Sequence, residues 1–219
     1  MDTLLVALRA TLVTLVLTGL AYPLAVTAGA QLLFPHRANG SIVVDEKGTE
    51  VGSELLGQAF TDPAYVHPRP SANNYDAANS GGTNLATTSK KLRDGTPDDP
   101  ATKDVDETFA GVTQLAAAFR ADNRLPETTE VPADAVTRSA SGLDPHVSPE
   151  TAMLQAERIA NARAVAVERV KTVIESFVED RDLGILGEPR VNVLAVNLAL
   201  DRKFGRPAHV AVDGATMPK

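Results

Sequence analysis

"ATLVTLVLTGLAYPLAVTAGAQLLF", Ala10 to Phe34, is the stretch on which the reading of this chain turns. It carries no charged residue over about 25 positions. As an α-helix it would reach roughly 37 Å at about 1.5 Å per residue, enough to cross a hydrocarbon core of about 30 Å with some tilt. Asp2 and Arg9 flank it on one side, and His36 and Arg37 on the other. Both ends can therefore sit among headgroups, Arg9 by snorkelling. A cleaved signal peptide is the alternative, with small residues at Ala28–Ala30, but the apolar run is about twice a usual h-region. A retained anchor is the better reading. Gly19 and Pro23 inside the span, either side of Tyr22, predict a kink or a close-packing face against another membrane helix. The flanking charges do not fix its orientation. One span encloses no transport path, so any pore must come from partners.

Outward from this anchor, residues 1–37, the remaining chain, residues 38–219, is soluble in character. The whole has 219 residues, 43% of them hydrophobic, which leaves room for one folded domain beyond the anchor. Aromatics are 4% with no Trp, so the core must be aliphatic and rich in alanine. A formal charge of -7 without any basic stripe argues against nucleic acid. The absence of cysteine excludes disulfides, thiol catalysis and Cys-ligated zinc.

"SIVVDEKGTEVGSELLG" reads as a β-hairpin: Ser41–Val44, a turn over Glu46–Thr49 with Gly48, and a second strand near Val51. A long loop follows. "TFAGVTQLAAAFRADN" puts Phe109, Val112, Leu115, Ala116 and Phe119 at helical spacing. Before it, residues 93–107 form an acidic, Pro-containing segment that reads as an exposed loop. Ser148 is a candidate N-cap, with Pro149 at the first helical position and Glu150 complementing the dipole. A further helix is predicted from about Ala166 to Val178, with Val167, Val170, Ile174 and Phe177 on one face. "RVNVLAVNLALD" reads as a strand, Val191 to Leu200, with Leu194, Val196, Leu198 and Leu200 alternating onto a buried face. Strands at both ends and helices between give a mixed α/β or α+β domain behind one transmembrane helix.

Signatures of chemistry are missing. The chain has no G-x-x-x-x-G-K-[ST], no G-x-G-x-x-G, no H-E-x-x-H and no G-x-S-x-G. It lacks the D-K-T-G of phosphorylated ATPases and the T-V-G-Y-G of potassium filters. Nothing suggests a metal site. Four histidines are present: His36, His67, His146 and His209. A triad of Ser80, His67 and Asp76 can be imagined, but triads are recognised by geometry. The plainer reading has His67 and His146 hydrogen-bonded to fix proline-bounded loops. In "SGGTN", Ser80, Gly81, Gly82, Thr83 and Asn84 can form an anion-binding nest, a partner contact or an ordinary tight turn. Asp144 in "SGLDPH" and Arg190 in "GEPRVNV" suit loop-to-core ties through charge-assisted bonds.

"GLAYP", "GSELLGQAF", "YVHPRPSA", "YDAANSGGTNL", "SGLDPHVSPETA", "QAERIANAR" and "LGEPRVNVLAVNLALD" occur here in one order. With them the chain closely resembles the C subunit of the Kdp potassium-transporting ATPase over nearly its whole length. The resemblance implies a plasma-membrane protein with one span, its N-terminus cytoplasmic and its soluble domain outside. It implies a complex with a channel-like A subunit, a P-type ATPase B subunit and a small F subunit, in contact with membrane lipid. Potassium is then the substrate of the complex, and ATP is hydrolysed by the B subunit, so this chain is not an enzyme on its own. Two roles are attached to the family: a catalytic chaperone that contacts nucleotide, and an outer cap on the A subunit. The second is favoured here, because a domain outside cannot reach the cytosolic ATPase domains. If ATP binds, Ser80, Gly81, Gly82, Thr83, Asn84 and Gln155 are the candidates. Partner-docking or loop-fixing roles are expected of Gly19, Tyr22, Pro23, His67, Arg69, Tyr75, Asp76, Asp144, His146 and Arg190. The chain departs from the family pattern at Ala86, Thr87 and Ser89, where Gly, Pro and Asn are common. It also departs at Glu157, where Pro is common and whose replacement should make that helix more regular. The acidic segment is longer than in the family.

Overall fold

The structure is a computed structural model that describes residues 2–45, 48–96 and 109–207. These form two compact units, one ending at Ser53 and the other beginning at Glu54.

The first unit is dominated by α1, Asp2–Leu33, a 32-residue helix long and apolar enough to cross a membrane. It starts upstream of the charge-free run, at Asp2, whose carboxylate suits the positive end of the helix dipole. None of its side chains is buried within the protein. An apolar helix without a polar face needs an apolar surrounding. The irregularity predicted by Gly19 and Pro23 is a π turn over Leu17–Ala21, in which the Tyr22 N–H donates to the Leu17 carbonyl. Pro23 has no N–H to give, and the widened turn just before it absorbs the mismatch. Thr18 Oγ1 also donates to the Thr14 carbonyl at 2.8 Å. Phe34 leaves the helix and Pro35 opens the short α2, Pro35–Ala38. The predicted hairpin follows, β1 (Ile42–Val44) against β2 (Glu50–Ser53), antiparallel, with an irregularity between Val43 and Val44. Gly48 takes the left-handed φ of +79° that its turn requires.

The second unit is α+β. Its helices are α3 (Lys90–Asp94), α4 (Val112–Asp122), α5 (Ala133–Val136), α6 (Pro149–Leu154), α7 (Ala156–Arg163), α8 (Val167–Ser176) and α9 (Val193–Phe204). The strands β3 (His146–Val147), β4 (Val178–Glu179) and β5 (Arg190–Asn192) make a small antiparallel sheet in the order β3-β5-β4. The core is aliphatic, as composition requires: Val66, Val147, Ile159, Val170, Ile174, Val191, Val196 and Leu200 lie at its centre. Ser148 caps α6 by accepting from the Thr151 N–H, with Pro149 at the first helical position.

Three expectations are corrected. The strand expected over Val191–Leu200 stops at Asn192, and α9 takes the rest. Asn192 Oδ1 accepts from the Ala195 N–H at 3.1 Å and caps that helix. Val193, Val196, Asn197 and Leu200, all buried, recur with helical rather than alternating period. A run so rich in apolar residues fits both periods, and the cap decides. The helix placed over Ala166–Val178 ends at Ser176, because Val178 pairs with Val191 in the sheet. Finally, Gln155–Arg158 is not one continuous helical stretch: Gln155 closes α6 with a bond from its N–H to the Ala152 carbonyl, and Glu157 sits in the unbroken α7 that follows.

Of the acidic segment 93–107, Arg93 and Asp94 end α3, while residues 97–107 lie outside the described residues, as does His209. Its two edges meet: the Thr96 N–H donates to the Phe109 carbonyl at 2.8 Å.

Candidate functional site

From Tyr65 to Leu85 the chain has no regular element, so its backbone groups need other partners wherever they are buried. Two side-chain amides supply them. Asn197 on α9 accepts from the Val66 N–H at 2.8 Å and donates to the Val66 carbonyl at 3.0 Å. Gln155, between α6 and α7, accepts from the His67 N–H at 2.7 Å and donates to the His67 carbonyl at 3.1 Å. Consecutive residues of an extended chain face opposite ways. Each amide thus replaces a neighbouring strand on its own side. Val66 is 0% exposed, and Gln155 and Asn197 are each 1% exposed.

Beside them lies Arg158, buried on α7 without a carboxylate among its hydrogen-bond partners. Its guanidinium donates to Asn123 Oδ1 at 3.0 Å, to the Pro63 and Tyr65 carbonyls at 2.6 and 3.1 Å, and to Gln155 Oε1 at 2.6 Å. Burial lowers its pKa to about 10. Arg158 Nη1 also stands 3.2 Å from His67 Nε2. Burial first, and that positive neighbour second, hold the His67 pKa below its ordinary value, so the ring is neutral. A second tie joins Tyr65, whose hydroxyl donates to Asp201 Oδ2 at 2.9 Å. Arg163 pairs with the other oxygen of Asp201 at 2.8 Å and donates to the Ala64 carbonyl at 2.7 Å. Burial, then the Asp201 bond, pushes the Tyr65 phenol up to about 12.

Further along, the loop is tied to the segment around Asp144. Arg69 pairs with Asp144 at 2.7 Å and reaches Thr137, while the Tyr75 hydroxyl donates to the Arg69 carbonyl. Asp144 also receives the His146 N–H at 3.0 Å. Ser71 Oγ donates to the Gly142 carbonyl at 2.8 Å and accepts from the Tyr75 N–H at 3.1 Å. Asn74 and Tyr75 both have left-handed φ, +54° and +61°. Such a conformation persists in a bulky residue only where its surroundings over-determine it.

The candidate residues therefore fall into separate groups. Ser80 Oγ and the Gly81 N–H both bond the Ser141 carbonyl, at 3.0 and 2.9 Å, so the Gly81 donor of the imagined nest is already engaged. Gly82 is a close-approach glycine, since a Cβ there would lie 2.9 Å from the Ala140 carbonyl oxygen. At Gly81 a Cβ would meet nothing within 4 Å. Asn84 turns the chain at φ +53°. Gln155 is engaged with His67, Thr151 and Arg158, not with this turn. Ser80, His67 and Asp76 do not assemble as a triad: Asp76 bonds Asn79 and the Ala78 N–H, and His67 bonds as described above. Arg190 pairs with Glu179 and Asp182 at 3.1 and 3.4 Å. Gly19, Tyr22 and Pro23 lie in the first unit, on the exposed surface of α1. No group of three or more His, Cys, Asp or Glu among the described residues is placed to hold a metal.

Sequence reasoning missed Arg158, Asn197, Asn123, Arg163 and Asp201. Asn197 had a signal, because it falls on the apolar stripe of α9, but the strand reading hid it. A buried cation and two buried amides, hydrogen-bonded to backbone and to neutral side chains, make a device that holds a loop. They define a class: a chain with one candidate membrane span and a small α+β unit whose buried polar groups serve its own backbone.

The particular family follows from comparison with known proteins. Residues 4–202 match the family described as K+-transporting ATPase, c chain. A relative from Myxococcus xanthus, "Potassium-transporting ATPase KdpC subunit", is 54% identical over 206 residues, 93% of this chain and 90% of the relative. Proteins of that name from Rhodospirillum rubrum and Mycobacterium bovis are 48% and 46% identical. They cover 86% and 91% of this chain, and 89% and 97% of their own lengths. The chain belongs to the c-chain family of potassium-transporting ATPases.

Proposed function

We propose that this chain is a non-catalytic accessory subunit of the ATP-driven, high-affinity potassium uptake complex, needed for its assembly and activity. In this reading α1 crosses the plasma membrane with its N-terminus cytoplasmic, in contact with lipid, and the second unit lies outside. The partners are the channel-like A subunit, the P-type ATPase B subunit that hydrolyses ATP, and the small F subunit. Potassium is the substrate of the complex. One observation carries the reading: polar residues that look chemical in the sequence, Gln155, His67, Ser80, Arg69 and Asp144 among them, are engaged with the protein's own backbone and side chains. Gln155 is the clearest case. To meet a nucleotide it would have to release His67, Thr151 and Arg158 from a site that is 1% exposed. Opening such a site leaves buried donors and acceptors unmatched, at about 1–3 kcal/mol each. The nucleotide-binding chaperone remains the alternative, and it needs Ser80–Asn84 to act without Gln155.

The experiment is potassium-stimulated ATPase activity of the purified complex with the full chain, with no chain, and with the fragment Met1–Arg37. Activity should require the full chain. Full activity without any of the chain refutes the accessory role. Full activity with the fragment assigns the role to the membrane helix alone. Calorimetric heat on adding millimolar ATP to the full-length chain in detergent would favour the chaperone.

A further inference from the structure

Between β4 and β5 the chain makes a short excursion whose tip is Leu183-Gly184-Ile185-Leu186. These three aliphatic side chains are 89%, 75% and 56% exposed. The tip is built, not slack. Asp182 and Leu186 exchange both backbone hydrogen bonds at 2.9 Å, and the Gly184 N–H donates to the Arg181 carbonyl at 2.9 Å. Leu183 is held at φ +56°, which leucine resists, and Gly184 and Gly187 take φ of +75° and +78°. Below the tip, Arg181 pairs with Glu188 at 2.5 Å, and Arg190 pairs with Asp182 and Glu179 at 3.4 and 3.1 Å. A hairpin that closes over its own backbone yet points three neighbouring aliphatic groups into water exposes apolar surface of the kind that marks an interaction site.

We propose that this turn is a preformed apolar knob that docks into an apolar cleft with a basic rim on another subunit of the potassium-transporting complex. The inference rests on the subunit reading above. Two occupants compete, a protein cleft and the lipid surface, and the chemistry of the collar chooses. Glu179, Asp180, Asp182 and Glu188 carry four negative charges against two positive ones on Arg181 and Arg190, a net of 2 − 4 = −2. Both guanidiniums are engaged in ion pairs. Such a collar is repelled by anionic headgroups and complements a basic protein rim. Residues 179–190 also contain no Trp, Tyr or Lys, the residues that seat a segment at a bilayer interface. The turn is already shaped, so docking costs little ordering, and a rigid apolar anchor in a fitted pocket is how a few residues dominate an interface.

The test uses the whole complex with the full-length chain. A photo-crosslinking residue at Ile185 should give, on irradiation of membranes, an adduct of this chain with another pump subunit. An adduct with lipid or with a second copy of this chain, or no adduct, overturns the proposal. In parallel, the L183D/I185D double variant alters only exposed side chains, so its melting curve should match that of the unaltered chain. Its co-purification with tagged pump subunits should fall at least tenfold. Undiminished co-purification of the variant refutes the knob alone. If the unaltered chain also fails to co-purify, the subunit reading falls and this inference falls with it.

Discussion

Replacing Asn197 by Leu tests the idea that side-chain amides hold the loop in place of a sheet. Leu keeps the branched outline of Asn but is bulkier and offers no polar atom. The change strands the Val66 N–H and carbonyl, which now bond Asn197 at 2.8 and 3.0 Å in a site that is 0% exposed. Each unmatched buried group costs about 1–3 kcal/mol, so the pair costs about 2–6 kcal/mol. Greater apolar burial by Leu offsets about 1–2 kcal/mol of this. Taken at the middle of both ranges, the net loss is about 2.5 kcal/mol, or roughly 5–10 °C of melting temperature for a chain of this size. Circular dichroism melts of the full-length chain in detergent read the stability. Hydrogen exchange of a peptide covering Tyr65–His67 reads the local effect, which should be faster exchange. Asn197→Asp gives a second check. It keeps the acceptor for the Val66 N–H but sets a carboxylate against the Val66 carbonyl, so its deficit relative to the unaltered chain should narrow as acid protonates the new carboxyl into a donor. A melting temperature for Asn197→Leu within about 2 °C of the unaltered chain, with unchanged exchange at Tyr65–His67, would refute the reasoning.

Asp201→Ala should cost about 3–5 kcal/mol, because Arg163, whose side chain is 2% exposed, would lose its carboxylate and keep the Ala64 and Gly205 carbonyls and the face of the Tyr65 ring. The same variant should bring the Tyr65 phenol down from about 12 toward 10, read by ultraviolet titration, and an unmoved phenol would count against the assigned bond. His67 and His146 both titrate below their ordinary 6.5, chiefly through burial. The unfolded chain therefore takes up protons first, and the stability they confer is present above about pH 6.5 and lost as pH falls below it. Melting temperatures should drop from pH 7.5 to 5.5, and less so in His67→Gln; equal slopes for the two chains would contradict the buried neutral ring. Gly142→Ala should destabilise by at least about 2 kcal/mol more than Gly184→Ala. Both have left-handed φ, but only at Gly142 would a Cβ lie 2.3 Å from Asn73 Oδ1, with nothing within 4 Å at Gly184. Equal losses in chemical denaturation would show that backbone angle alone matters at both sites.

The legible parts of this sequence were those where one local rule acts without a rival. The long apolar helix shows through the absence of charge, the hairpin through Gly48 between β-branched residues, and the start of α6 through Ser148 and Pro149. The stretch after Arg190 was misread because its apolar residues satisfy alternation and helical spacing alike. The deciding bond, Asn192 to the Ala195 N–H, belongs to a residue that the strand reading had already placed inside the strand. The candidate site was harder for a different reason. Its visible residues, His67, Arg69, Ser80 and the two glycines, lie in the loop that is held. The holders, Asn197, Gln155, Arg158 and Arg163, lie far along the chain on helices or at a helix end, and Asn197 reaches Val66 across 131 positions. No local pattern announces such a pairing.

That separation also explains why the loop and its holders carry residue types that catalysis uses. A stretch without a strand partner must import donors and acceptors, and the side chains able to supply them are the amides, carboxylates and guanidiniums that active sites also use. The difference lies in what those groups face. In this chain Gln155 and Asn197 use both their donor and acceptor atoms on backbone, and Arg158 meets neutral acceptors instead of a carboxylate. A buried cation that donates to several carbonyls at once favours one loop geometry over others that would strand them. In the accessory role proposed above, a subunit working through its shape would have use for that rigidity, with its surface, including the turn at Leu183–Leu186, left to meet partners.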